Sequence, residues 1–298
     1  MANLKDIRDR IKSVKAIQQV TSAMRMVAAA KLRRAQERME QARPYEQRLQ
    51  EVINNLLPDV NRDMLDLLQV REVKRVGYLI VTSDRGLAGA FNTNVIKKVE
   101  SEIEEIGKKN TDLFCIGRKG RDHFKKRDYS VVLEYVEFWN ELDFPHAVTF
   151  GESIISHFLS GQVDEIRVVY NWFKNLGMQE LRVEKLLPLY YEGDKNHFGD
   201  HIYEPSKKEI VESLIPRHLN VEMWKYLLES FASEMAARMV AMENATENAG
   251  EMIQSLQLQF NKARQASITT EMLEIVGGAD VAAEIDAKRA INQSAELA

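Results

Sequence analysis

The residues that most suggest chemistry form a loop, Ser83-Asp84-Arg85-Gly86-Leu87-Ala88-Gly89, which follows an apolar run. Gly86 and Gly89 would let backbone N–H groups approach an anion at a helix N-terminus, as in phosphate-binding turns. However, the spacing G-x-x-G differs from the dinucleotide pattern G-x-G-x-x-G, and the sequence contains no Gly-Lys-Ser/Thr P-loop. A tight strand-to-helix turn is the simpler interpretation, and we expect no cofactor.

The other reactive residue types lack the spacing that catalysis or metal binding requires. His197 and His201 are four residues apart, but they lie in a Gly/Asp-rich stretch without a helix to align their rings. Ser153 follows Gly151 without completing a Gly-x-Ser-x-Gly elbow. The single cysteine, Cys115, lies in an apolar run and is predicted to be a buried, inert thiol. We therefore predict neither a catalytic nor a metal site.

A basic run, Lys31-Leu-Arg-Arg-Ala-Gln-Glu-Arg38, has three interpretations. It is a solvated helix face, a surface for an acidic protein partner, or a nucleic-acid site whose cations follow a phosphate backbone. Aromatic residues are missing from this segment until Tyr45, and the chain as a whole carries a net charge of −4. These two facts disfavour nucleic acid.

Composition bounds the class of protein. With 45% apolar and 29% charged residues, the chain is typical of a soluble protein rich in surface helices. It has no run of eighteen apolar residues, and its first residues lack the apolar core of a signal peptide. A cytosolic compartment is therefore expected.

The elements that would position these residues are dominated by a long C-terminal helix. From about Val221 to Gly277, apolar or small residues recur at alternating steps of three and four, interrupted by Arg238 and Gln259. This heptad pattern predicts a rod that needs either a partner along its length or a channel in which it lies. A short helix, Ser206 to Pro216, is expected to lead into it.

A second heptad pattern runs from Leu4 to Ala42, and predicts a helix from about Leu4 to Leu57 that stops near Pro58 and kinks at Pro44. Residues 1–50 contain twelve Lys/Arg and five Asp/Glu, whereas residues 221–298 contain six and twelve. Opposite charge and small residues on both segments favour an antiparallel coiled coil between the two ends of the chain.

The middle of the chain alternates strands and helices. Strands are predicted at 75–82, 112–116, 131–136 and 165–172, with helices at 92–106 and 146–160 and a short helix after Gly120. This alternation indicates a mainly parallel, Rossmann-like α/β domain. The run 179–187 is predicted to add an antiparallel edge strand. The expected division is therefore a coiled-coil helix at 1–58, an α/β domain at 73–189, a pairing helix at 206–286 and a tail at 287–298.

Three motifs, in order along the chain, closely resemble the gamma subunit of rotary ATP synthases. The first runs from Ile7 to Lys31, the second is the Thr82 to Gly89 loop, and the third comprises Ala232 to Met242 and Asn261 to Glu271. The resemblance covers Met1 to about Ala279. It implies a non-catalytic central-stalk rotor whose paired helices stand inside the alpha/beta hexamer, while the α/β domain sits with the epsilon subunit on the c-subunit ring.

The resemblance also implies partner-contact residues. Met24 lies in the part of the first helix that faces an acidic catch loop of a beta subunit. Arg238, Gln265, Thr269 and Glu271 are expected to be polar contacts through which the upper rod engages the hexamer. To these we add Lys31, Arg33 and Arg34 as cations that sense the acidic loop. No nucleotide or nucleic acid is expected, and membrane contact is expected to be indirect, at the cytoplasmic face of a bacterial plasma membrane.

Two departures from the family pattern stand out. Ala88 replaces a cysteine that many members carry, and the cysteine-bearing insertion of the chloroplast form is missing, so thiol regulation is not expected. The chain also continues beyond Ala279 for nineteen residues, as a helical extension or a frayed end. A coiled-coil scaffold with an α/β docking domain, unrelated to rotation, is the alternative function.

Overall fold

The computed structural model describes residues 4–57, 65–189, 204 and 206–296, with the backbone alone at 207, 280 and 282–296. Pro58 and the Gly/Asp-rich stretch that contains His197 and His201 lie outside these residues. The chain divides into two compact units, Met1–Ala23 with Glu243–Ala298, and Met24–Met242. The domains predicted from the sequence were separated by type of secondary structure, whereas these two units are separated by which residues pack together.

The terminal helices are both long. Helix α1 spans Leu4–Leu56 and contains Pro44. The C-terminal helix, named α5 here, spans Lys207–Glu296 and contains Pro216. The expected separate helix ending at Pro216 is therefore continuous with the long one, because proline removes only one ladder bond and buried Val211, Ile215 and Leu219 hold the turn in the core. The helix also extends past residue 286.

In the first unit, α1 and α5 pack antiparallel. An apolar cluster joins Ile7 and Val14 of α1 to Ala249, Ile253 and Leu256 of α5. The guanidinium of Arg8 lies 5.5 Å from the ring centre of Phe260, and the Thr21 and Thr246 hydroxyls lie 2.8 Å apart. Residues near the start of α1 thus contact residues in the C-terminal part of α5. The predicted seam on α1 is correct, since all its members are buried or half-buried.

The second unit contains a five-stranded sheet with the order β3-β2-β1-β4-β5. The strands are β1 (Val76–Val81), β2 (Thr111–Ile116), β3 (Val131–Tyr135), β4 (Glu165–Asn175) and β5 (Met178–Leu187). β1 to β4 are parallel, and β5 pairs antiparallel with β4 as predicted. β1 and β2 are buried at every residue, as expected for parallel strands covered on both faces.

Helices α2 (Phe91–Ile106), α3 (Arg118–Lys125) and α4 (Phe144–Leu159) complete this unit. Tyr78 and Ile80 of β1 pack in one apolar cluster with residues of α2 and α3. Leu79 and Val81 pack in another with residues of α4, α1 and α5. Strand alternation thus builds two cores, one on each face of the sheet.

Buried Cys115 lies in the first of these cores. Burial raises the pKa of its thiol to about 12, as expected for an unreactive side chain.

Candidate functional site: the loop after β1 and the exposed helix faces

The loop after β1 is held by its own polar side chains. Thr82 Oγ1 donates to the Ile116 carbonyl at 3.0 Å and accepts from the Gly120 N–H at 3.0 Å. The Ser83 N–H donates to Asn92 Oδ1 at 2.9 Å. These bonds tie the carboxyl end of β1 to β2 and to the two helices that follow.

Asp84 occupies the position that an anion would take at the start of α3. Its two carboxylate oxygens accept backbone N–H groups of Arg118 and Glu137, each at 2.8 Å. A helix N-terminus attracts negative charge, and here a carboxylate of the same chain supplies it. Asp84 therefore ties the loop to the start of α3 and to Glu137 after β3.

Arg238 is held within its own chain. Its Nη2 lies 2.6 Å from Glu234 Oε1, one helical turn earlier on α5, and donates to the Gly86 carbonyl at 3.2 Å. The Arg238 side chain is 12% exposed and that of Glu234 is 5% exposed. Burial raises the pKa of Glu234, although the charge of Arg238 acts in the opposite direction. The structure thus joins a predicted contact residue to the predicted loop.

Helix α1 carries an exposed apolar face beside its buried seam. Ile17 and Val20 are 55% and 58% exposed, and Val27 is 57% exposed. Met24 is half-buried at the same helical spacing of three and four residues. Several apolar side chains on one helix face, left in water, are the mark of a surface that contacts a partner.

The basic run on α1 is partly engaged inside the second unit. Lys31 donates to Asn140 Oδ1 at 3.0 Å, and Arg38 donates to the Leu142 carbonyl at 2.6 Å. Arg33 pairs with Glu37 at 3.1 Å on the helix surface, and Arg34 is exposed. A run with three of its four cations engaged in this way is less suited to following a phosphate backbone.

The side chains of α5 between residues 264 and 279 are mostly exposed. Apolar side chains there remain in water, namely Ile268, Met272, Leu273, Ile275, Val276 and Val281. The predicted contact residues Gln265, Thr269 and Glu271 are exposed on the same segment. Since Arg8 faces Phe260 and the described part of α1 begins at Leu4, the described residues of α1 reach only about one turn beyond Phe260 along α5. The predicted seam is wrong at Met252, which is exposed while Ile253 is buried. It also fails after Ala263, because its last members have nothing in the described chain to pack against.

Sequence reasoning did not single out Glu234, Asn140 or Leu87. Glu234 at i−4 from Arg238 was a readable signal, because oppositely charged residues at this spacing pair on a helix. Leu87 belongs to the loop motif, but the motif does not indicate that its side chain is 64% exposed or that its φ is 66°, in the left-handed region. Asn140 lies 109 residues from Lys31, so only the fold brings them together.

Two further points concern metals and membranes. Within the described ranges, no cluster of three or more His, Cys, Asp or Glu side chains is arranged to hold a metal ion. The pair His197 and His201 lies outside those ranges. A search of the same ranges finds no helix with the length and apolar character needed to span a membrane.

Solved structures share this fold. A chain of the Euglena gracilis mitochondrial ATP synthase, from a structure of its OSCP, F1 and c-ring, aligns with a TM-score of 0.69 at 22% identity over 93% of this chain and 94% of its own. A chain from the central stalk and c-ring of the Tetrahymena thermophila mitochondrial ATP synthase aligns with a TM-score of 0.60 at 24% identity over 76% of this chain and 99% of its own. The chain thus shares the fold of these ATP synthase chains, with two long helices and a central sheet.

Sequence comparison identifies the family to which the chain belongs. The family model described as ATP synthase matches residues 3–281. The ATP synthase gamma chain of Prosthecochloris aestuarii is 49% identical over 289 residues, with 94% of this chain and 98% of the relative covered. That of Chlorobium luteolum is 49% identical over 286 residues, with 94% and 99% covered. This chain belongs to the ATP synthase gamma chain family.

Proposed function

We propose that this chain is the central-stalk rotor subunit of a bacterial ATP synthase. In this role it couples ion flow through the c-subunit ring to the conformational cycle of the catalytic alpha/beta hexamer. The observation that carries the proposal is the C-terminal part of α5, where six large apolar side chains are exposed beyond the level that the described residues of α1 reach. Near-complete alignment with gamma chains at 49% identity supports it.

The exposed end of α5 has the apolar surface needed to lie in a channel formed by other subunits. Burying apolar surface contributes roughly 25 cal/mol per Å², so these side chains favour an apolar surrounding. Such contacts are non-directional, and they allow a helix to turn without breaking particular hydrogen bonds. We infer that the alpha and beta subunits provide this surrounding.

The face of α1 from Met24 to Arg34, in the second unit, makes the helix asymmetric. It combines apolar side chains with Lys31 and Arg34, and it occupies only one side of the helix. An acidic loop of a beta subunit that met this face would meet a different surface after each part of a turn. Exposed ion pairs contribute roughly 0–1 kcal/mol each, so such contacts report orientation without arresting rotation.

The finer assignments follow from the same role. The α/β domain would sit with the epsilon subunit on the c-ring, so contact with the membrane would be indirect, at the cytoplasmic face of the bacterial plasma membrane. The chain itself would bind no nucleotide and carry no catalytic residue. Arg238, Gln265, Thr269 and Glu271, with Met24, Lys31, Arg33 and Arg34, remain the proposed contacts to the hexamer.

Co-purification tests the proposal against a coiled-coil scaffold. A tagged copy of the chain, expressed in its native host, should co-purify with the ATPase alpha and beta chains in fixed stoichiometry. The purified complex should hydrolyse ATP and pump ions. Recovery of other proteins without alpha and beta chains would support the scaffold instead. Steeply salt-dependent DNA binding by the isolated chain would favour the nucleic-acid alternative.

A further inference from the structure

A cavity of about 570 Å³ lies in the second unit, where α1, β5 and α5 meet. Its volume is within the range of about 300–1,000 Å³ that is typical of small-molecule sites. All three elements contribute polar side chains to its wall. These are Gln50 from α1, Glu184 from β5, and His218, Glu222, Lys225 and Tyr226 from α5.

His218 is a buried polar side chain without a hydrogen-bond partner among the described residues. It is 6% exposed and lines the cavity. Burial lowers its pKa to about 4, so the imidazole is neutral at pH 7 and one ring nitrogen is a hydrogen-bond acceptor. Buried polar groups without a partner destabilise a fold, and native proteins contain few of them. His218 therefore points to a ligand in the cavity.

Glu222 offers a second acceptor. Its side chain is 13% exposed, and its Oε2 lies 3.3 Å from Lys225 Nζ, whereas its Oε1 accepts no hydrogen bond from the described residues. The Lys225 ammonium is shared, since it also lies 2.9 Å from the Glu46 carboxylate. Burial raises the pKa of Glu222 although Lys225 opposes this. A second cation in the cavity would stabilise the ionised form of Glu222.

Gln50 completes the set of acceptors. Its amide nitrogen donates to Asn54 Oδ1 at 2.7 Å, so its amide oxygen is left for a ligand. A ligand that satisfies three acceptors must supply donors. An ammonium group has three donors and no acceptor, and its positive charge suits Glu222. A metal ion is less suited, because among the described residues no cluster of three or more His, Cys, Asp or Glu side chains is arranged to hold one.

We propose that this cavity binds the primary ammonium group of a small organic cation, with Glu222, His218 and Gln50 as its acceptors. Leu186 and Leu189 also line the cavity, and they offer an apolar contact to the alkyl part of such a cation. The bound group would join α1 to α5 within the second unit. This inference goes beyond the proposed rotor function and does not depend on it.

Cadaverine, an alkyl diamine, is a suitable probe, and pentanediol is its uncharged analogue. Titration calorimetry of the full-length chain should show saturable binding of cadaverine and no binding of pentanediol. Cadaverine should also raise the temperature of thermal unfolding, since it binds the folded chain. Glu222→Gln should weaken binding about tenfold or more, because a hydrogen bond between two charged groups is lost. Glu51→Gln makes the same change at an exposed carboxylate of α1 outside the cavity wall and should leave the affinity unchanged.

Two variants of His218 separate a hydrogen-bonded site from general attraction by negative charge. His218→Phe keeps a ring but removes the acceptor, so binding should weaken about tenfold, whereas His218→Gln keeps an acceptor and should retain most of the affinity. Neither variant changes the net charge at pH 7. Equal losses of affinity in Glu222→Gln and Glu51→Gln, or no saturable binding by the unaltered chain, would overturn the proposal. Either result would leave the recovery of alpha and beta chains, and with it the rotor proposal, unaffected.

Discussion

The ammonium group of Lys225 on α5 lies 2.9 Å from the Glu46 carboxylate on α1 and 3.3 Å from that of Glu222. One half-buried cation therefore pairs with two acids at the contact of the two helices within the second unit. Burial alone would lower the pKa of Lys225, but Glu222 and Glu46 raise it above its ordinary value. Burial raises the pKa of Glu222, and Lys225 opposes this.

Replacing Lys225 by methionine should destabilise the chain in a pH-dependent way. Without the cation, the two carboxylates face each other in a partly buried site, and their ionised forms become less favourable. We expect the free energy of unfolding to fall by about 2 kcal/mol at pH 8 and by clearly less at pH 5, where the acids can take up protons. Urea unfolding at both pH values measures this. Arg48→Met, at an exposed pair, should cost under about 0.5 kcal/mol at either pH.

His218 should make the chain sensitive to mild acid. Burial lowers the pKa of His218 from 6.5 to about 4, with a smaller contribution in the same direction from Lys225 and an opposing one from Glu46. The unfolded chain therefore binds the proton more readily, so the stability that neutral His218 contributes is complete above pH 6.5 and is lost as the pH falls towards 4. The difference corresponds to about 3 kcal/mol. His218→Gln should remove that slope, and an unchanged slope would contradict the assignment.

Gly117 should be intolerant of any side chain. It has a φ of 92°, and a Cβ atom there would lie 2.0 Å from the Thr82 carbonyl oxygen. Gly117→Ala should cost about 3 kcal/mol or more, since it combines backbone strain with a clash against the end of β1. Gly161 is the matched control, because its φ is 73° but no atom lies within 4 Å of the added Cβ. Gly161→Ala should lower the free energy of unfolding by about 1 kcal/mol, as measured by thermal unfolding. Equal losses of stability in the two variants would exclude the clash at Gly117.

Periodicity predicted the elements well because burial imposes it. Every residue of the α1 seam is buried or half-buried, and the five strands lie within a few residues of their predicted positions. The edge strand β5 was readable from its position after β4 and its short connection. Pro216 misled the prediction, since local signals suggested a helix end where buried neighbours sustain the helix.

The candidate site was less predictable, because its contacts join distant parts of the chain. Motif resemblance indicated both Arg238 and the loop after β1, but not that they touch, and nothing local encodes a bond across 152 positions. Lys31 and Asn140 show the same limit. The failure of the α5 seam beyond Ala263 has another origin, since a heptad pattern records that a helix face is covered but not which chain covers it.

The exposed face of α1 yields a test of coupling at Met24. Met24→Lys places a cation on the face proposed to meet an acidic loop of a beta subunit, between exposed Val20 and Val27. A new ion pair there should hold α1 at one angle to the beta subunit more strongly than neutral contacts do. The reason is that a charge pair shielded from water has a larger interaction energy than one in solvent. We expect ATP hydrolysis by the assembled complex to remain near its normal rate while ions pumped per ATP fall. Proton or sodium uptake into inverted vesicles, measured beside ATPase activity, checks this.

Leu176→Lys, which adds the same charge at an exposed position between β4 and β5, should leave both quantities unchanged. If Met24→Lys pumps normally, the acidic loop does not meet this face. If both variants lose pumping equally, added positive charge in general is responsible, and the orientation of α1 is not what the partner senses.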